Sequence, residues 1–315
     1  MIGKSYLGTL MIFFLSTTVF LFAELIPLPL SVEFDEQKMQ LGKKLFLDPI
    51  LSKDKTLSCI SCHKLLDNGA DNVAYTEGID GKKGFFNAPT VYNASYNFRQ
   101  FWDGRAKNLK EQALQPISNP VEMGNTIEQA IKDLKADKVY RRMFSEIYND
   151  GITENNLAEV LAEFEKILIT PNSAFDKYLR GDMKALSAQE EKGYHLFKTK
   201  GCISCHNGIN IGGNLYNKFG IYKDAKSREL GRYNQTKKEE DKYVFKVPSL
   251  RNVAITGPYM HDGRVDTLED AVNIMTKYQL GRPMNKEDLN NLVAFLKTLT
   301  GELPDIVKDI NVKNK

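Results

Sequence analysis

Cysteine and histidine are scarce in this chain, with four of each among 315 residues, and tryptophan occurs once. No stretch shows sustained alternation of apolar and polar residues, so the sequence does not predict a β-rich fold. Neither sign of charge predominates, because the formal net charge is only +3 and acidic and basic residues are mixed along the chain. This balance gives no indication of nucleic-acid binding and is too mixed to identify another charged partner.

All four cysteines lie in two copies of the pattern Cys-Ile-Ser-Cys-His, at residues 59–63 and 202–206. This spacing is the attachment pattern of c-type haem, whose vinyl groups react with the two thiols and whose iron the histidine ligates. A zinc site would need more cysteine or histidine partners. A thioredoxin-like dithiol would need neither the histidine nor a second copy, and structural disulfides are the third alternative. The pattern predicts two covalently bound haems c, held by Cys59, Cys62, His63, Cys202, Cys205 and His206.

The first 23 residues predict export from the cytoplasm. Lys4 precedes an 18-residue apolar run from Tyr6 to Ala23, which fits a secretory signal peptide cleaved after Ala23. Leu21 matches the small-residue rule for cleavage only weakly, and the run barely reaches membrane-spanning length, so an uncleaved anchor is the alternative. Either form exports the rest of the chain, and we expect a periplasmic protein.

The chain is an internal duplication. Three pairs of similar segments flank the two haem motifs: 42–46 with 193–197, 89–93 with 248–252, and 102–105 with 261–264. The last two pairs share one offset of 159 residues, and the second copy has a longer loop over residues 207–242. We therefore predict two domains, over residues 24–178 and 179–315.

The signals for secondary structure are helical. Apolar residues recur at helical spacing after an N-cap candidate over residues 153–169 and 285–299. Ser187 and Asp266 each begin a segment with capping-box spacing, which marks a helix start. The predicted fold class is all-α with long loops that wrap the haems, in two cytochrome c-like domains.

Between about residues 33 and 300 the chain resembles the bacterial di-haem cytochrome c peroxidases. The matching stretches are Leu51-Ser-Lys-Asp-Lys-Thr-Leu-Ser-Cys59, Asn87-Ala-Pro-Thr-Val-Tyr-Asn93, Gln100-Phe-Trp-Asp-Gly-Arg105, Asn119-Pro-Val-Glu-Met-Gly124, Val247-Pro-Ser-Leu-Arg-Asn252 and Thr256-Gly-Pro-Tyr-Met-His-Asp-Gly263. The resemblance implies that an N-terminal haem reduces hydrogen peroxide to water. It also implies that a C-terminal haem receives electrons from a small cytochrome c or cupredoxin. A calcium ion between the domains and a homodimer are further family features.

The resemblance assigns roles to individual residues. Glu122 matches the distal carboxylate that handles the protons of peroxide, and Gln112 matches a polar residue of the same pocket. Met275 matches the methionine that completes the second haem opposite His206, which raises the potential and closes that iron to peroxide. Trp102 lies where the family has an aromatic group between the haems. Without the resemblance, Glu122 would be a solvated loop carboxylate, and Met275 and Trp102 would be core side chains.

The resemblance also implies a calcium site at Asn87, Thr256 and Pro258, which spacing alone would not reveal. His261 pairs with Trp102 in the duplication, and we expect it to form hydrogen bonds near the domain interface rather than to ligate iron. His195 pairs with a lysine of the first copy, so we expect it at the surface.

The chain departs from the family pattern before Asn87. Many members have a histidine there that blocks the first iron until the second haem is reduced. Here Ile79 stands at the expected place, and no histidine occurs between His63 and His195. We predict that the first haem is five-coordinate or water-bound without prior reduction. The alternative is a substitute ligand from the same loop: Tyr75, Lys82 or Lys83.

Two other functions remain open. Relatives that oxidise a partner protein also lack the blocking histidine, but a tyrosine replaces methionine at their second haem. Met275 favours the peroxidase, whereas the nearby Tyr278 keeps this alternative open. A non-enzymatic di-haem electron carrier would need two six-coordinate irons, and the sequence offers no evident ligand to complete the first.

Overall fold

The structure is a computed structural model that describes residues 24–224 and 227–310. The predicted signal segment, residues 1–23, lies outside the described residues. Within them the chain is helical with long loops and two three-residue strands, which confirms the predicted all-α class. No helix in the described ranges is long and apolar enough to cross a membrane.

The helices of the two halves follow one another with short turns and long loops between them. Their bounds are α1 Glu36–Leu47, α2 Cys59–Cys62, α3 Leu109–Ala113, α4 Gln115–Ser118, α5 Ile127–Ala136, α6 Lys138–Ile147, α7 Glu154–Lys166, α8 Ala174–Leu179, α9 Ala188–Thr199, α10 Tyr233–Thr236, α11 Leu268–Ile274, α12 Lys286–Lys297 and α13 Asp305–Lys308. Helix α11 continues into a π-helical turn, Met275–Gln279. Strands β1 (Tyr216–Lys218) and β2 (Val244–Lys246) pair antiparallel across the enlarged loop of the second half.

Polar side chains cap the helices close to where the sequence predicts. The Thr153 hydroxyl caps α7, Ser187 forms a capping box at α9, and α12 begins after its predicted cap. The predicted capping box at Asp266 is wrong by one residue, because Thr267 is the N-cap of α11. The Thr267 hydroxyl accepts a hydrogen bond from the Asp270 N–H and donates one to the Asp270 carboxylate at 2.7 Å. This threonine–aspartate pair thus satisfies the helix start without Asp266.

The same close helix crossing occurs in both halves. Helix α1 packs on α7, and α9 packs on α12. A Cβ atom added to Gly42 would lie 1.9 Å from the carbonyl oxygen of Val160, and one added to Gly193 would lie 2.0 Å from that of Asn291. Because glycine has no side chain, the two backbones touch at each crossing. The shared geometry agrees with an internal duplication.

Equivalent asparagines join the halves around one threonine. Asn93 and Asn252, at φ values of 61° and 62°, donate side-chain hydrogen bonds to the Thr170 hydroxyl at 2.8 and 3.0 Å. The N–H of Asn93 donates to the Leu168 carbonyl, and that of Asn252 donates to the Leu299 carbonyl. The duplicated segments therefore meet in matching conformations.

Hydrophobic packing crosses the predicted domain boundaries. Two core clusters centre on Phe144 and Phe164 in the first half, and a third centres on Phe295 in the second. Leu25, near the start of the described chain, packs in the second-half cluster, whereas Val307, near its end, packs in the first half. The boundaries at residues 24–178 and 179–315 remain a prediction.

A buried ion pair holds the N-terminal segment against the second half. The Arg251 and Asp176 side chains are 1% and 0% exposed, with Nη1 and Oδ1 3.0 Å apart. Asp176 also accepts from the Leu28 N–H, and Arg251 donates to the Ile26 carbonyl. Removing one partner would leave the other charge buried and unpaired, which typically costs about 3–5 kcal/mol, so both residues are needed where the segment is anchored.

We expect Gly42→Ala and Gly193→Ala each to lower the free energy of unfolding by about 1–3 kcal/mol, the usual cost of overpacking. On an open helix face the same change would stabilise by up to about 1 kcal/mol, so the sign of the effect is diagnostic. Urea denaturation followed by circular dichroism measures it. Gly84→Ala is the control, because a Cβ atom there meets nothing within 4 Å. Wild-type stability of both crossing variants would contradict the close approach.

Candidate functional site

The first Cys-x-x-Cys-His segment forms a short helix that presents a neutral histidine. Ser58 and Ser61 form a capping box at the start of α2, and His63 follows its last residue. The Nδ1 atom of His63 lies 3.1 Å from the Gly69 carbonyl oxygen. A carbonyl only accepts, so Nδ1 carries the proton and Nε2 is free to ligate. Burial lowers the pKa of His63, which keeps the ring in its ligating, neutral form.

Cys59, Cys62, Cys202 and Cys205 form no disulfide bond with one another, which argues against the disulfide alternative. Burial raises the pKa of Cys62 to about 12 and that of Cys202 to about 11. In the described ranges, no three His, Cys, Asp or Glu side chains come together as the zinc alternative would require. Each thiol pair is therefore available for thioether bonds beside its histidine.

A cavity of about 480 Å³ lies over the first motif and has the size of a cofactor pocket. Its walls include Cys59, Cys62 and His63, and most of its other lining residues are apolar. Polar side chains from several segments also line it, and Gln112 and Glu122 are among them. The residues present fit a haem held by the motif with polar groups beside it.

Glu122 is a half-buried carboxylate in the loop after α4. Its Oε1 atom accepts a hydrogen bond from Asn119 Nδ2 at 2.6 Å. Burial raises the pKa of Glu122, and the positive charge of Arg105 and the Asn119 hydrogen bond oppose that shift. The carboxyl therefore holds its proton to a higher pH than a solvated glutamate, which suits a group that exchanges protons.

Gln112 brings an unpaired acceptor to the same cavity. Its Oε1 atom is buried and has no hydrogen-bond partner among the described residues. Because an unpaired buried polar atom costs free energy, this oxygen needs a donor from a molecule inside the cavity. Gln112 and Glu122 thus both line a space that can bind a small hydroxyl-bearing ligand.

Ile79, at the place of the missing histidine, does not line this cavity. Its N–H donates to the Glu122 carbonyl at 2.8 Å. A Cβ atom on Gly124 would lie 2.8 Å from Ile79 Cγ2, so the isoleucine packs against that glycine. The segment is therefore joined to the backbone of the Glu122 loop.

The predicted substitute ligands also lie outside the cavity wall. Lys82 and Lys83 are exposed and lie near the carboxylates of Asp80 and Glu77, respectively, and Tyr75 does not line the cavity. A thioether that the sequence did not suggest, Met123, does line it, and this residue packs in the first-half core. No side chain of the loop itself is placed as a ligand.

A second cavity, of about 260 Å³, lies over the second motif. Cys202, Cys205 and His206 line it together with two methionines, Met275 and Met260. Burial lowers the pKa of His206 to about 4, so this ring is also neutral. The residues fit a haem with histidine on one side and a thioether within the same cavity.

Tyr278 lies on the same π-helical turn as Met275 but does not line the second cavity. Its carbonyl accepts from the Tyr222 N–H at 2.9 Å. The Lys223 and Lys277 ammonium groups lie 5.3 and 5.9 Å from the centre of its ring. Tyr278 is thus engaged outside the cavity.

Trp102 lines both cavities. Its Nε1 donates to the Asn87 carbonyl at 2.9 Å, and its ring meets the His261 ring edge to face, with centres 6.3 Å apart. His261 stacks on Phe245 at 4.2 Å, and its Nε2 lies 2.8 Å from the Ser227 hydroxyl oxygen. Burial lowers the pKa of His261 to about 4, so a neutral histidine faces the tryptophan between the cavities.

The residues of the predicted calcium site lie on one wall. Asn87, Thr256 and Pro258 all line the second cavity. The Asn87 carbonyl is occupied by Trp102, and its side-chain Nδ2 donates to the Val73 carbonyl at 2.8 Å. A calcium ion at this wall stays a prediction. His195, by contrast, is exposed on α9, as expected.

Several charged residues at the cavities were not predicted, among them Arg105, Glu165 and Lys246. Arg105 and Glu165 line the first, and burial raises the pKa of Glu165 to about 8. Lys246 lines the second, and burial lowers its pKa to about 8. Glu165 interrupts the apolar face of α7, which was a signal in the sequence. Nothing in the local pattern distinguishes the lysine.

Comparisons with known proteins agree with the assignment of one haem site to each half of the chain. Residues 36–184 match the family model of di-haem cytochrome c peroxidase, and residues 190–300 match that of cytochrome c. The chain is 49% identical over 269 residues to cytochrome c551 peroxidase of Nitrosomonas europaea, covering 84% of this chain and 80% of the relative. It is 45% identical over 289 residues to cytochrome c peroxidase Ccp of Escherichia coli, covering 90% of this chain but 62% of that relative.

A solved structure has the same overall arrangement. It is described as a MauG-like protein associated with microbial copper homeostasis, and it matches with a TM-score of 0.78 at 27% identity. The match covers 89% of this chain and 94% of that one. Sequence and structure therefore agree: two haems c are the cofactors of this chain, which belongs to the di-haem cytochrome c peroxidase family.

Proposed function

We propose that this protein reduces hydrogen peroxide to water with electrons from a small cytochrome c or cupredoxin. One peroxide, two electrons and two protons give two waters. The observation that carries the proposal is the joint presence of Glu122 and Gln112 at the cavity of the first motif. A carboxyl with a raised pKa and an unpaired buried acceptor are the groups that peroxide reduction requires there.

A haem bound through Cys59, Cys62 and His63 supplies the iron for peroxide binding and the electrons for O–O cleavage. Ionised Glu122 takes a proton from one oxygen of peroxide and returns it to the other, so the leaving oxygen departs as water. Gln112 Oε1 accepts a hydrogen bond from the substrate and orients it.

The second cavity suits the arrival of electrons. His206 and Met275 would ligate the haem attached at Cys202 and Cys205, which leaves no iron position for peroxide. Trp102 lines both cavities and is the proposed aromatic bridge between them. In this proposal residues 24–178 form the peroxidatic domain and residues 179–315 the electron-transfer domain.

Two features of the proposal come from the family resemblance and the leader segment. Calcium would bind at Asn87, Thr256 and Pro258, where carbonyl and amide oxygens suit this ion. Export by residues 1–23 would place the protein in the periplasm, where haem is attached outside the cytoplasm.

The MauG-like neighbour keeps oxidation of a partner protein as the second candidate. Met275 lies at the second cavity and Tyr278 does not, which favours the peroxidase. The electron-carrier alternative offers no role for the unpaired Gln112 oxygen or for Glu122.

We expect the fully oxidised protein to give a high-spin signal from its first haem in electron paramagnetic resonance. We also expect peroxide consumption with a reduced small cytochrome to proceed equally with and without prior reduction. The reason is that Ile79 and its loop bring no ligand to the cavity. An all-low-spin spectrum would contradict the open site. Absence of turnover in both states would favour the partner-oxidising or carrier function.

We expect Glu122→Gln to lower kcat/KM for peroxide by about 100- to 10,000-fold, the usual contribution of a general acid–base group. Because the pKa of Glu122 is raised, the wild-type rate should increase with pH through a pKa above that of a solvated glutamate. The variant should lose this dependence. Stopped-flow rates across pH measure both effects. Glu128→Gln, at an exposed site on α5, is the control and should keep the wild-type profile.

We expect Met275→Leu to abolish the methionine–iron absorption of the second haem and to lower its potential, because a thioether ligand raises it. Met260→Leu is the matched control, since Met260 lines the same cavity. Optical spectra and redox titration distinguish the two. If Tyr278→Phe changes the spectrum and Met275→Leu does not, the second haem is of the partner-oxidising type.

A further inference from the structure

Positions 87 and 246 are equivalent in the duplication and make equivalent bonds between the halves. The Asn87 N–H donates to the His261 carbonyl at 2.9 Å, and the Lys246 N–H donates to the Trp102 carbonyl at 2.8 Å. The two residues whose carbonyls accept these bonds, Trp102 and His261, are also equivalent in the duplication. The backbone is therefore symmetric here, and only the side chains differ: a neutral amide in the first half and an ammonium in the second.

The Lys246 side chain has no anionic partner within the described part of the chain. The residue is 7% exposed and lines the second cavity. No hydrogen bond or ion pair of its ammonium occurs within residues 24–224 and 227–310. An ammonium without a counter-charge on such a largely buried residue is unfavourable, and burial lowers the pKa of Lys246 to about 8. An anion within the cavity would remove this cost.

The two cavities differ in charge in a way that identifies the anion. The second is lined by Lys218, Lys246 and Arg251 and by no aspartate or glutamate. The first is lined by one arginine and three carboxyl residues: Asp103, Glu122 and Glu165. The second cavity holds no carboxylate of its own, whereas the haem that its motif would attach carries two, the propionates.

We propose that Lys246 pairs with a propionate of the haem attached at Cys202 and Cys205, and that this charge raises the reduction potential of that haem. Adding an electron makes the haem more negative by one unit. A nearby ammonium stabilises the reduced form, and it does so strongly in a site shielded from water. Asn87 provides no such charge in the first half. The inference deepens the proposed function, because a higher potential lets the second haem collect electrons from a weakly reducing donor.

Redox titration of the holoprotein, followed by the separate spectra of the two haems, tests the pairing. We expect Lys246→Met to shift the one-electron equilibrium of the second haem at least tenfold toward the oxidised form, which corresponds to about 59 mV. Lys246→Arg, which keeps the charge, should retain the wild-type potential. Lys218→Met is the control, because Lys218 lines the same cavity but is exposed and screened by solvent. The first haem should titrate unchanged in every variant.

Lys246→Asn introduces the residue of the first half, and it replaces Lys246→Met as the neutral variant if the latter loses haem. Equal shifts in the neutral and arginine variants would show a packing effect and overturn the proposal, as would an unchanged potential in the neutral ones. The titration uses neither peroxide nor donor. Absence of peroxide turnover would therefore overturn the proposed function alone, and an unchanged potential would overturn the role of Lys246 alone.

Discussion

The arrangement of both cavities depends on a reciprocal pair of backbone hydrogen bonds between the halves. Asn87 donates to His261, and Lys246 donates to Trp102. Each of these four residues lines at least one cavity, and Asn87 and Trp102 line both. The bonds therefore hold the walls of the two cavities at one fixed separation. Electron transfer between two cofactors requires such a fixed separation. Here backbone hydrogen bonds provide it, and these do not depend on the identity of the side chains.

The duplication keeps the backbone constant while the side chains at equivalent positions take different roles. Position 102 is tryptophan and its equivalent in the second half, position 261, is histidine. Position 87 is asparagine and its equivalent, position 246, is lysine. The helix crossings at Gly42 and Gly193 remain alike, since both depend on backbone contact that no side chain can replace. Symmetry is thus kept where packing requires it and is lost where the two haems need different surroundings.

The sequence predicted the features that depend on local chemistry or on the repeat. The cap at Thr153, the helical class and the two attachment motifs are examples, because each is determined by a few neighbouring residues. The predicted capping box at Asp266 lies one residue too early. Residues 266–269 and residues 267–270 both have capping-box spacing, and only the packed helix shows that Thr267 is the N-cap.

Features that join distant segments could not be predicted in this way. The unpaired oxygen of Gln112 and the isolated ammonium of Lys246 become visible only when the whole cavity wall is assembled. The resemblance suggested Gln112, but it gave no reason to select Lys246. The charged residues that line a cavity come from many segments of the chain. The charge of a cavity therefore cannot be predicted from any single stretch of sequence.

Ile79 and the backbone of Glu122 are held by one packing arrangement. Ile79 is buried against Gly124, whose positive φ of 63° and missing side chain leave room for it. In that position the Ile79 N–H donates to the Glu122 carbonyl. A ligating side chain at position 79 would have to turn from this apolar contact into the cavity, which would break the contact with Gly124. Ile79, which does not line the first cavity, thus fixes the backbone of the Glu122 loop.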